Sequence, residues 1–207
     1  MQSCFEPFKK NKLFFLCVFV WLIVTGYMAF VTGKAASFFL INHARSRLLD
    51  IVSTVFTFIG DGKFIVLLAA LLFIIKKRRI ALTLLGCFLF SGLIVQLFKQ
   101  FTWIERPKIW QGTQGNVLTA PWEKLMEWNS FPSGHTTSAF AAACVLSLFT
   151  SNNKLKILFF VVACCTAYSR IYLGEHFMED VFAGTLFGLA GGSVCYIVQW
   201  KISDRRK

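Results

Sequence analysis

Charged side chains are scarce in this sequence, and so are the patterns that build disulfide or metal sites. Only 15% of the 207 residues are charged, whereas 56% are hydrophobic. A soluble domain of this length could not bury so much apolar surface, so membrane residence is predicted. Six of the seven cysteines lie inside apolar runs and no C-x-x-C spacing occurs. The cysteines are therefore interpreted as small buried hydrophobes rather than as disulfide partners or metal ligands.

Acidic residues are the scarcer charge: ten aspartates and glutamates stand against 22 lysines and arginines, for a formal net charge of +12. The basic residues cluster beside apolar runs, which indicates membrane topology and contact with anionic head groups. No basic patch is interleaved with stacking aromatic side chains, so nucleic acid is not an expected partner. No obligate protein partner is implied either.

Six apolar stretches predict transmembrane helices. They cover about 13–31, 55–75, 80–98, 134–149, 157–169 and 181–200. The predicted fold is therefore all-α, a six-transmembrane-helix bundle that forms a single domain over residues 1–207. The first apolar run is longer than the hydrophobic region of a cleaved signal peptide, so it is interpreted as an uncleaved helix. The second is interrupted near its start by Gly60-Asp61-Gly62-Lys63.

Six crossings would place both termini on one side of the membrane. Thirteen of the 22 basic residues fall at the termini and in the two loops of that same side. The positive-inside rule then predicts cytoplasmic termini. All the polar motifs described next would lie on the outer face.

Three polar motifs interrupt the apolar sequence between Lys99 and Asp180. They are Lys99-x6-Arg106-Pro107, Pro132-Ser133-Gly134-His135, and Ser169-Arg170-x5-His176-x3-Asp180. Ionisable groups at the edge of a membrane are costly and indicate function. Three cations, two imidazoles, a hydroxyl and a carboxylate are the groups needed to hold a phosphate and transfer it. Because four predicted helices present them on one face, we expect them to form a single site.

No pair of carboxylates suited to magnesium accompanies these motifs, so no metal and no cofactor are predicted. Glu105, Glu175 and Glu179 are interpreted as solvated loop charges or as groups that tune neighbouring pKa values. Tyr172 is interpreted as an anchor at the membrane interface, and His43 as a loop residue.

Taken together, the three motifs resemble the signature of the type 2 phosphatidic acid phosphatase (PAP2) superfamily. This superfamily includes membrane lipid phosphatases, glucose-6-phosphatase and soluble vanadium haloperoxidases. The resemblance covers every signature position in the same order, and it implies a PAP2/haloperoxidase-like helical core. A haloperoxidase is disfavoured because those relatives are soluble and this chain is not.

The resemblance implies a catalytic role for three residues. His176 would attack phosphorus and form a phosphohistidine, while Asp180 would hold the productive tautomer of the ring. His135 would protonate the leaving oxygen and then accept a proton from water.

The resemblance also implies a set of phosphate-binding residues, in which cations offset charge in the transition state and a helix N-terminus adds hydrogen bonds. These residues are Lys99, Arg106, Ser133, Gly134 and Arg170.

A membrane lipid phosphatase is the function that the resemblance implies. Its substrate would be a phosphate monoester or diphosphate of a lipid head group, at the outer (periplasmic) face of a bacterial inner membrane. Lipid A phosphate is favoured, with undecaprenyl diphosphate and phosphatidylglycerophosphate as alternatives. A lipid phosphotransferase would use the same phosphohistidine. A catalytically inactive transport or scaffold protein is a different class, which the presence of both histidines disfavours.

Overall fold

The computed structural model describes residues 6–114 and 116–204, of which 76% are helical, with no strand in those ranges. The helices are α1 (Glu6–Lys10), α2 (Lys12–Phe30), α3 (Lys34–Asn42), α4 (Arg47–Gly60), α5 (Gly62–Ile74), α6 (Arg78–Thr102), α7 (Gly134–Phe149), α8 (Asn153–Tyr172) and α9 (Met178–Asp204). The predicted all-helical class is confirmed.

Four helices begin at polar residues whose side chains accept a hydrogen bond from the first turn. Ser46 caps α4 and Asp61 caps α5, where its Oδ1 atom accepts from the Lys63 amide at 2.7 Å. Ser133 caps α7 and Asn152 caps α8. Such caps satisfy amide groups that a helix leaves unpaired, so the sequence locates these four starts locally.

Length and apolar character separate the helices other than the short α1 and α3 into three kinds. Four of them, α2, α6, α8 and α9, are long and apolar enough to cross a bilayer. Helices α4 and α5 pass the same test only as a pair, and they are bent by 60° at Asp61. Helix α7 is apolar but has only 16 residues. The predicted second span is thus not a straight helix, and the count of six crossings stays a prediction. Three basic residues used for the topology, at positions 205–207, lie outside the described residues.

Close packing of α7 against α9 brings the start of one helix beside the start of the other. Gly184, Gly188 and Gly192 of α9 face carbonyl groups of α7, and a Cβ atom at any of them would lie within 2.8 Å of a carbonyl oxygen. Small residues at this four-residue spacing allow membrane helices to approach closely. The Ser133 amide donates to the Asp180 carbonyl at 3.1 Å. The second and third motifs are joined by this contact.

Candidate active site

The three polar motifs meet at one end of the helix bundle, as the sequence predicts. The C-terminal ends of α6 and α8 supply Lys99 and Arg170. The N-terminal ends of α7 and α9 supply His135 and Asp180. Arg106 comes from the connection between α6 and α7, and it contacts the connection between α8 and α9.

His176 is held in a fully packed position by Asp180. The imidazole is 2% exposed, and its Nδ1 atom lies 3.3 Å from the Asp180 Oδ2 atom. The chain reaches this position through Gly174, whose φ of 80° lies in the left-handed region that glycine adopts without strain. A carboxylate at Nδ1 favours the tautomer with its proton there, which leaves the Nε2 lone pair free.

The Asp180 carboxylate is itself fixed by two further donors. Its Oδ2 atom accepts from the Ser130 hydroxyl at 2.5 Å and from the Phe177 amide at 2.8 Å. Sequence reasoning missed Ser130, which lies in the connection before α7 and outside the three motifs. No local pattern could have found it, because the contact joins residues 50 positions apart.

The nucleophile candidate is neutral at physiological pH. Burial, together with the cations Arg106, Arg170 and Lys99, holds the pKa of His176 well below its ordinary value of 6.5. A neutral imidazole keeps the lone pair that nucleophilic attack requires.

Glu175 bridges the two buried arginines of the site. Its Oε2 atom accepts from Arg106 Nη1 and lies 3.6 Å from Arg170 Nη2. The carboxylate is buried, so the expectation of a solvated loop charge is wrong for Glu175. Two guanidinium groups this deeply buried need a counter-charge, and Glu175 supplies it.

The two arginines differ in how much of their hydrogen-bonding capacity the protein uses. Arg106 donates to the carbonyls of Trp128, Asn129 and Glu175 as well as to the Glu175 carboxylate. Arg170 donates from Nη1 to the Thr57 hydroxyl at 3.0 Å, while its buried Nε atom has no partner among the described residues. Arg170 is therefore the more available of the two for an incoming anion.

Lys99 is half-buried and makes no hydrogen bond or ion pair with the described residues. Its charge nevertheless acts on both His135 and His176. An ammonium group of this kind is available to an anion that enters between the helix ends.

His135 stands at the more open side of the site. Its side chain is 28% exposed, and its Nε2 atom lies 3.8 Å from the Asp61 Oδ2 atom. With Gly134, His135 lines a cavity of about 480 Å³ between α5, α6 and α7. The Ser133 hydroxyl accepts from the side chain and amide of Thr136, so its predicted contact with phosphate would add to a capping role.

Within residues 6–114 and 116–204, no group of three or more histidine, cysteine, aspartate or glutamate side chains is arranged to hold a metal ion. The expectation that the reaction needs no metal stays a prediction, for which a chelator experiment is given below.

Three residues near the motifs have roles that differ from each other. Tyr172 is fully buried, and its hydroxyl donates to Asp50 at 2.6 Å, so its interpretation as an interface anchor is wrong. Glu179 pairs with Lys34 at 2.9 Å, away from the arginines. Burial raises the pKa of Glu123, which lies close enough to Arg170 and Glu175 to interact with their charges. Sequence reasoning did not single out Glu123.

A helical membrane bundle with a buried histidine–carboxylate pair and converging cations is suited to a membrane protein that handles phosphate. Comparison with known proteins narrows this class. The PAP2 superfamily matches residues 80–204. The crystal structure of Aquifex aeolicus LpxE is 35% identical, with a TM-score of 0.69, over 81% of this chain and 94% of that one.

Two curated relatives match most of the chain. The lipid A 1-phosphatase of Rhizobium johnstonii is 29% identical over 81% of this chain and 57% of its own length. The undecaprenyl-diphosphatase of Sulfolobus acidocaldarius is 28% identical over 86% of this chain and 87% of its own length. The chain thus spans little more than half of the first relative and most of the second.

The chain belongs to the PAP2 superfamily. The predicted family and the predicted helical membrane fold are confirmed. The relatives are lipid phosphatases by name, which agrees with the predicted class of enzyme.

Proposed function

We propose that this protein is a membrane lipid phosphatase. It hydrolyses a phosphate monoester or diphosphate of a lipid head group through a phosphohistidine on His176. The observation that carries the proposal is the buried His176–Asp180 pair beside two arginines, one of which keeps an unpaired buried N–H group. A neutral nucleophile next to uncommitted positive charge is suited to a phosphate anion.

In the first step, the Nε2 lone pair of His176 forms a bond to phosphorus while the bond from phosphorus to the leaving oxygen breaks. The leaving oxygen belongs to the lipid alcohol of a monoester or is the bridging oxygen of a diphosphate. Asp180 stabilises the positive charge that the ring acquires, through the proton on Nδ1. Arg170, Arg106 and Lys99 balance the charge on the non-bridging oxygens, and His135 donates a proton to the leaving oxygen.

In the second step, a water molecule attacks the phosphohistidine. His135 now accepts the proton of that water, the P–N bond breaks, and inorganic phosphate is released. Both steps leave His135 and His176 in their starting protonation states, so the cycle is balanced.

The proposed orientation places the site at the outer face of a bacterial inner membrane, with both termini in the cytoplasm. The excess of lysine and arginine on the opposite side supports it. The exposed apolar faces of α2, α5 and α6 support a surrounding bilayer that would hold the lipid chains of the substrate.

Lipid A phosphate is the favoured substrate. The named activity of the Rhizobium relative supports this choice. The Sulfolobus relative supports undecaprenyl diphosphate as the second candidate. Phosphatidylglycerophosphate stays a third alternative.

A substrate panel tests the proposal. Purified protein in detergent is given lipid A, undecaprenyl diphosphate or phosphatidylglycerophosphate, with and without a chelator, and released inorganic phosphate is measured. We expect release from lipid A without an added acceptor, and unchanged release in the chelator.

Two outcomes would contradict this proposal. Transfer of phosphate to a second lipid without free phosphate would identify a phosphotransferase. No reaction with any member of the panel would favour an inactive transport or scaffold protein.

A further inference from the structure

Asp61 is a charged residue at the break between two apolar helices, α4 and α5, where the chain bends by 60°. Its two carboxylate oxygens have different contacts. Oδ1 caps α5 by accepting from the Lys63 amide, and Oδ2 lies 3.8 Å from the Nε2 atom of His135. No other basic side chain among the described residues lies within ion-pair distance of Asp61.

The bend is held tightly against the first turn of α7. A Cβ atom at Gly60 would lie 3.2 Å from the His135 carbonyl oxygen and 2.3 Å from a methyl carbon of Thr166. Only glycine allows the backbone this close to both helices. The position of Asp61 relative to His135 is therefore set by packing and not by a flexible loop.

Capping favours aspartate but does not require its charge, because a neutral side chain can cap as well. The other three helices with a side-chain cap begin at the neutral residues Ser46, Ser133 and Asn152. An ionised side chain among apolar helices is costly, so its charge indicates a second role. The group that faces this charge is His135.

The surroundings of His135 explain what that charge would do. The cations Arg170, Lys99 and Arg106 all act on His135 through their charges, and like charges disfavour a positively charged imidazole. The Asp61 carboxylate is the opposing charge within 4 Å. A nearby carboxylate stabilises the protonated ring and fixes which nitrogen keeps its proton.

We propose that Asp61 is the positioning residue for His135 in the reaction proposed above. Asp61 holds the proton on Nε2, so Nδ1 is the atom that donates a proton to the leaving oxygen and later accepts one from water. The distance of 3.8 Å is that of an ion pair, and contacts of this kind tighten when the substrate is bound. The proposal rests on the proposed function, because it assigns a partner to the general acid of that site.

Substitution of Asp61 by asparagine separates the two roles. The asparagine side chain has nearly the same volume as aspartate, and its oxygen can still cap α5, but it carries no negative charge. A proton donor matters most when the leaving group is poor, so we compare dodecyl phosphate with 4-nitrophenyl phosphate. The measured quantity is kcat/KM for phosphate release, which reports the steps up to the phosphohistidine.

For Asp61→Asn we expect a decrease of about tenfold to hundredfold with dodecyl phosphate, and less than about threefold with 4-nitrophenyl phosphate. In a His135→Ala background, the same substitution should have no further effect on either substrate. Asp50→Asn is the matched control, because Asp50 is on α4, which ends next to Asp61, and pairs with Arg45 and Tyr172 instead. It should leave the ratio between the substrates unchanged.

Equal losses with both substrates would overturn the inference, because they would indicate a purely structural role. Unchanged activity in Asp61→Asn would overturn it as well, and so would an additive loss in the double variant. If the unmodified protein released no phosphate at all, the proposed function would fail and this inference with it.

Discussion

The two histidines of the site are held in opposite ways. His176 is 2% exposed and contacts the Asp180 carboxylate, which also accepts hydrogen bonds from the Ser130 hydroxyl and the Phe177 amide. His135 is 28% exposed on its side chain, and its carboxylate neighbour is 3.8 Å away and 36% exposed. One ring is locked by packing, whereas the other borders a cavity of about 480 Å³.

This difference matches the two chemical tasks that we propose for these histidines, nucleophile for His176 and proton carrier for His135. A nucleophile needs a fixed line of approach to phosphorus, since small misplacements of reacting atoms are costly. A proton carrier must instead serve a lipid oxygen in one step and a water molecule in the next. An accessible ring beside a cavity can meet both, and the Asp61 carboxylate faces one of its nitrogens and leaves the other free for the lipid oxygen or the water.

The largest effect should come from His176→Ala. Loss of the nucleophile should lower kcat at least about a thousandfold with every leaving group, because no other group can form the covalent intermediate. Phosphate release and incorporation of labelled phosphate into the protein measure this. His43→Ala is the control, since His43 is exposed and outside the site. Activity retained in the His176 variant would refute the mechanism.

An intermediate effect on stability is expected for Glu175→Gln. The substitution leaves Arg106 and Arg170 buried without their counter-charge, which should lower the free energy of unfolding by about 3–5 kcal/mol. Thermal unfolding in detergent measures it, and inorganic phosphate should stabilise the variant more than the unmodified protein. The matched control is Glu127→Gln, which removes an exposed pair with Lys108 and should cost less than about 1 kcal/mol. Equal stability of the two variants would contradict the assignment of Glu175 as the counter-charge of the two buried arginines.

The smallest effect concerns pH. Burial and three cations lower the pKa of His176, so its neutral form persists below pH 6.5 and activity should fall only in more acidic solution. Lys99→Met removes one cation, which should raise that pKa and move the acidic limb of kcat/KM to higher pH by less than about one unit. Lys154→Met is the control, since Lys154 is exposed near the start of α8, at the other end from Arg170. An unmoved limb would show that Lys99 does not act on the nucleophile.

Much of the site could be predicted because its motifs lie at helix ends. The order of apolar runs locates α6 to α9, with caps at the starts of α7 and α8, and each motif then falls at the same end of the bundle. The predicted pairing of His176 with Asp180 depends on a four-residue spacing at the start of a helix, which is a local property.

Residues outside the motifs could not be predicted in the same way. Ser130, Glu175 and Asp61 each make a contact that spans many residues. Ser130 lies 50 positions from Asp180, Glu175 lies 69 from Arg106, and Asp61 lies 74 from His135. Glu175 in particular lies in a loop of the sequence, where a charged side chain is usually solvated, and only the folded chain buries it between two arginines.

The sequence by itself determined the helical membrane class, the family and the candidate residues of the site, because apolar length and motif spacing are local properties. The tertiary structure alone decided which histidine is rigid and which is open. It also decided which carboxylate neutralises the arginines and which faces His135. These outcomes depend on how closely the helices approach one another. Gly60 at the bend and the glycines along α9 allow that approach, but which helices they contact is decided only in the folded chain.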